Sequence, residues 1–70
     1  MILVERLYEH GRVGPEGIAI DRIVSVNEDP LGDSSWVTYQ HGGEGTTTAI
    51  RVSDRVVDLV QQIQRVINGG

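Results

Sequence analysis

The run His41-Gly42-Gly43-Glu44-Gly45-Thr46 has the composition of a phosphate-cradling loop. Such loops work because several backbone N–H groups converge on an anion where a helix begins. Here a strand-like run, Thr46 to Val52, follows instead, and the lysine that phosphate loops use is missing. A hairpin turn is the expected role. A weaker version of the chemistry remains, in which Arg12, His41, Gly43 and Arg51 hold an anionic metabolite or nucleotide at an oligomer interface.

Other chemistry-bearing residues form no complete set. His10 and His41 have Glu9 and Glu44 nearby, but their spacing matches no metal motif, so solvated loop residues are expected. Asp29 and Asp33, around Pro30 and Gly32, lack the twelve-residue pattern of a calcium loop and read as a turn. Ser25, Ser34, Ser35 and Ser53 sit in no nucleophile motif, and the chain has no cysteine. No acid–base–nucleophile constellation can be assembled, so the chain is not expected to be an enzyme or to carry a metal or cofactor.

Trp36 stands apart. In the strand-like run Trp36 to His41, Val37, Tyr39 and His41 share one face, and Trp36, Thr38 and Gln40 the other. A Trp on the uncovered face of a sheet is a candidate anchor for a partner or a second copy. Trp36, Thr38, Gln40, Thr47 and Arg51 are the residues expected to bind a partner.

Those residues need elements to position them. Met1 to Tyr8 reads as a first strand, and Glu9 to Gly17, with three glycines and a proline, as a loop. Ile18 to Glu28 reads as a second strand, bent or bulged near Asp21-Arg22 because the apolar alternation shifts there. Asn27 to Ser35 is rich in turn formers. Trp36 to His41 and Thr46 to Val52 then form a glycine-linked hairpin. The last segment is a helix. Ser53 is the expected N-cap, with Asp54 in the first turn and a staple between Val52 and Val57. Val56, Leu59, Val60, Ile63, Val66 and Ile67 make one apolar face, Arg55, Asp58, Gln61, Gln62 and Arg65 the opposite side, and Gly69 the C-terminal cap. The fold class is α+β, an antiparallel sheet of about four strands (β-β-β-β-α) with one helix on one face.

Composition narrows the partners. The 70 residues allow one domain, 1–70. Ten Val and seven Ile against four Leu favour strands. Net charge is −4 and all six basic residues are scattered arginines, which argues against nucleic acid. The longest apolar run, Met1 to Val4, has four residues, against the roughly 20 that span a bilayer. With neither a signal-peptide pattern nor cysteine, a cytoplasmic protein without a membrane partner is expected. A chain this small, with no disulfide or metal, gains support by oligomerising, so a homo-oligomer is expected.

The order of parts is also familiar. Ile20-Asp21-Arg22-Ile23-Val24-Ser25-Val26, then Trp36-Val37-Thr38-Tyr39, a glycine turn, and Ile50-Arg51-Val52-Ser53-Asp54-Arg55-Val56 resemble the small flagellar and swarming-motility protein family. The pattern covers most of the chain. Its departures are the longer loop after Glu9-His10-Gly11 and the run Pro30-Leu31-Gly32-Asp33. The functional expectation is a bacterial or phage accessory regulator: a protein–protein interaction module, with oligomeric binding of a small anion as the alternative.

Overall fold

The alternation in Ile2–Leu7 makes strand β1, with Ile2 and Val4 buried on one face and Leu3 and Glu5 exposed on the other. The computed structural model describes residues 1–42 and 45–69. It continues through β2 (Val13–Ile18), β3 (Ile23–Glu28), β4 (Ser35–Gln40), β5 (Thr47–Val52) and helix α1 (Val56–Ile67). All neighbouring strands are antiparallel, in the order β2-β1-β5-β4-β3. The α+β architecture is as expected, with one strand more.

The short link between β2 and β3 shapes the sheet. These are the two edge strands, yet only Ala19 to Arg22 join them, and Ile20–Arg22 is a 3-10 turn. Five strands laid flat would put the edges about 19 Å apart. The five Cα steps from Ile18 to Ile23 reach at most about 17 Å, and a 3-10 turn shortens that. The sheet must curl. Tyr39 of β4 accordingly reaches across two strands, its hydroxyl donating to Glu16 Oε2 of β2 at 3.4 Å.

Curling gives the sheet a concave inner face, which holds the core: Ile2, Val4, Ile18, Val37, Ile50 and Val52. Leu59 of α1, fully buried, adds the helix to that cluster. One end of the inner face is polar. Arg6 pairs with Glu16 at 3.0 Å and stacks over the Tyr8 ring at 4.9 Å. The hydrogen bond to Glu16 holds the Arg6 guanidinium protonated beyond its usual range, against its partial burial. Burial, and then Glu16, push the Tyr39 phenol up.

Five expectations need correction. Residues 13–17, expected as loop, belong to strand β2. Leu3 and Glu5 direct their amides away from β2, so the residues opposite, Gly17 and Pro15, face the free edge. A proline there removes a donor that no ladder uses and blunts the edge. The Met1 side chain lies over Gly17, and a Cβ there would displace its flexible thioether end. Ile18 ends β2, so the second strand begins only at Ile23. The bend expected near Asp21-Arg22 is present as the 3-10 turn, with a register shift between Ile23 and Ser25.

The helix start also differs. Arg55, not Ser53, is the N-cap, and no side chain caps the helix. Ser53 and Asp54 serve β1 instead: the Ser53 N–H donates to the Glu5 carbonyl at 2.9 Å, and Asp54 Oδ1 accepts from the Glu5 N–H at 2.8 Å. Moving the cap by two residues removes Val52 and Val57 from the staple positions. Gln62 is not on the solvent side. It accepts from the Leu3 N–H at 2.7 Å and donates to the Leu3 carbonyl at 3.1 Å, standing in for a missing strand residue. β1 needs that stand-in because it pairs with β5 only at Arg6 and Val52. Gly69 closes the helix with φ +78°, as expected.

Gln62→Ala should therefore cost about 1 kcal/mol in urea unfolding, while Gln61→Ala stays within about 0.5 kcal/mol. Equal effects of the two would contradict the bridge to β1.

Candidate functional site

The turn between β3 and β4 is built by Asp29. Its carbonyl accepts from the Gly32 N–H at 2.9 Å, its own N–H donates to the Ser34 carbonyl at 2.9 Å, and Oδ1 accepts from the Leu31 N–H at 2.8 Å. Pro30 presets φ at the second turn position, and Gly32 takes φ +103°, where a side chain would strain. The local sequence Asp-Pro-Leu-Gly specifies this turn.

The other carboxylate oxygen faces the sheet. Oδ2 accepts from the Trp36 indole N–H at 3.1 Å and the Ser34 hydroxyl at 3.3 Å, and lies 3.2 Å from Arg51 Nε. Arg51 Nε also donates to Ser34 Oγ at 2.8 Å. Asp29 is only 7% exposed, so these donors replace the water it has lost. The Leu31 N–H contributes most to lowering the Asp29 pKa, burial opposes it, and Trp36, Arg51 and Ser34 add to the lowering.

Trp36 and Arg51 stand opposite each other in the β4–β5 register, on the outer face of the sheet. Thr38 faces Ala49, and Gln40 faces Thr47, on the same side. The five residues expected to bind a partner thus share one surface. Trp36 keeps 37% of its surface exposed while its N–H is tied down.

Beside Trp36 and Arg51 the surface dips into an open notch of about 920 Å³. Ala49 and Ile50 line it on the β5 side, with Leu7, Tyr8, Glu9, His10, Arg12 and Val13 on the opposite wall. The second wall exists because the chain leaves the sheet after Leu7 and turns back through Glu9–Gly11. His10 there adopts φ +68°, the single non-glycine residue with positive φ among those described. That conformation costs roughly 1–2 kcal/mol for an ordinary residue.

The alternative anion set fares differently. Arg12 and Arg51 both line the notch, but His41 lies past the far end of β4, about 17 Å along the strand from Trp36. Gly43 and Glu44 lie outside the described residues. Sequence reading singled out neither Asp29 as more than a turn former nor Ser34 as a partner of Arg51. The signal available was the turn Asp-Pro-x-Gly two residues before Ser34-Ser35-Trp36, which returns the carboxylate to the strand it precedes.

Among the described residues, no group of three or more His, Asp or Glu could hold a metal ion, and no helix is long and apolar enough to cross a membrane. No protein-family model matches the chain, and neither a curated protein nor a solved structure was found to match it.

The Asp29 contacts imply a pH dependence. The folded pKa lies below the unfolded value of about 3.9, so in acid the unfolded chain binds more protons. The stabilisation is complete above about pH 4 and is lost as pH falls through the lower folded value. Asp29→Asn should lower the thermal midpoint by several degrees at pH 7 and flatten its decline below about pH 4, followed by circular dichroism. An unchanged acid limb would contradict the assignment.

Proposed function

We propose that this domain is a non-enzymatic interaction module, a small homo-oligomer that binds another protein through the outer face of β4 and β5. The observation that carries this reading is the pair Trp36 and Arg51, held side by side on an uncovered face by one buried carboxylate. Trp and Arg dominate interface energetics, and a side chain already fixed in place loses less entropy on binding. The face is otherwise short and polar, with Thr38, Gln40 and Thr47, as the rim of an interface is. A setting in the cytoplasm, and a role as a bacterial or phage accessory regulator like the small motility proteins, belong to the same reading.

The helix supports self-association. Val60 is 40% and Ile67 67% exposed, and with the half-buried Val56 and Ile63 they form a stripe spaced by four, three and four residues. That spacing is the same in both directions, as a two-fold contact between antiparallel copies of one helix needs.

Native mass spectrometry should give an integer multiple of the 7.7 kDa chain mass. The double variant Val60→Glu, Ile67→Glu should give monomer with unchanged helical circular dichroism, because both side chains are exposed. A wild-type monomer overturns the oligomer. Affinity capture with Trp36→Ala should lose proteins that wild type and an Arg22→Ala control both retain. Identical capture by all three would refute the binding face.

A further inference from the structure

We propose that the notch beside β5 binds a carboxylate carried on an extended polypeptide segment, an inference that rests on the interaction-module reading. Charge points to the ligand. Arg6, Arg12 and Arg51 line the notch with one lining carboxylate, Glu9. Arg6 is taken up by Glu16 and the Arg51 Nε by Asp29, which leaves Arg12 and the Arg51 terminus to meet an anion. His10 adds a further donor on the same wall.

Arg51 is set up as a receptor. Its Nε is engaged by Ser34 and Asp29, which fixes the plane of the guanidinium. Among the described residues, no hydrogen bond or ion pair uses its terminal Nη1 or Nη2, and the side chain is 44% exposed. Two parallel N–H groups on a fixed plane match a carboxylate in bidentate geometry. Arg12 has no ion-pair partner among the described residues and faces the same space.

The backbone argues for a polypeptide rather than a free anion. β5 pairs with β4 at all six positions but with β1 only at Val52. From Thr47 to Ile50, its side toward β1 has no strand partner among the described residues, and Ala49 and Ile50 line the notch. An extended segment laid there can take up those N–H and C=O groups as an added strand. Trp36, Leu7 and Val13 supply apolar walls for its side chains, and Arg51 and Arg12 receive its carboxylate.

The test is an NMR titration of the full 70-residue chain. The probes are one acetylated five-residue Thr/Val peptide in three forms, and inorganic phosphate. One form ends in a free carboxylate, one in an amide, and one is amidated with Glu in the fourth place. At least one carboxylate form should bind about tenfold or more tighter than the plain amide, with shifts at the Thr47–Arg51 amides and at Arg51 Nε–H. Whichever form is tighter identifies a chain-terminal or a side-chain carboxylate. Arg51→Gln and Arg12→Gln should each erode the preference, and Arg22→Gln should keep it. Arg12→Gln leaves the Asp29 contacts intact, so its effect does not depend on the fold of the turn.

Equal binding of all three forms along β5 overturns the carboxylate site and leaves the interaction face standing. Shifts from phosphate with none from any peptide also overturn it, as an adventitious anion only. No shift from any probe overturns it as well, with the Trp36→Ala capture comparison deciding the broader reading on its own.

Discussion

One buried carboxylate ties the β3–β4 turn of this small domain to its sheet. Asp29 receives the Leu31 N–H on one oxygen and Trp36, Ser34 and Arg51 on the other, so it joins the β3–β4 turn to β4 and to β5. A carboxylate taken from water is costly unless donors surround it, and each of these donors is in place. The same contacts immobilise a Trp and an Arg on a face the monomer leaves uncovered. Stability and surface chemistry therefore depend on one residue.

The curl of the sheet decides which face is available. The four-residue link between β2 and β3 forces the concave side inward, where Ile2, Val4, Val37, Ile50 and Val52 meet Leu59 of the helix. Among the described residues, no element packs over the convex side at Trp36, Thr38 and Ala49. β1 and β5 are also offset: Arg6 stands opposite Val52, so each strand runs past the end of the other and leaves a gap at both ends. Gln62, Asp54 and the Ser53 N–H fill the gap along the first half of β1. Beyond Leu7 the other gap stays open as the notch.

Strict alternation and β-branched residues made β1, β4, β5 and the outer-face set of Trp36, Thr38, Gln40, Thr47 and Arg51 legible in the sequence. Strand β2 was not, because Gly14, Pro15 and Gly17 carry turn chemistry that an edge strand tolerates when its outward amides pair with nothing. Ser53 and Asp54 look like a helix cap until a nearby strand edge competes for them. Gln62 looks solvated for the same reason. The partners of Asp29 depend on a long-range meeting of β4 and β5, which no local pattern encodes. Arg12 and Arg51 come together, whereas His41 does not, because β1 ends and turns back beside Arg51, while β4 runs on past Trp36 to Gln40 before it reaches His41.

The most direct measurement of the central claim is ¹⁵N relaxation at two side-chain sites, Trp36 Nε1–H and Arg51 Nε–H, in the free protein. A surface fixed by Asp29 before any partner arrives predicts order parameters near 0.85 at both sites, as for rigid backbone, and a fall at both in Asp29→Asn. Values below about 0.6 in the wild type would mean that the pair moves freely. The account of a preorganised binding face would then be wrong.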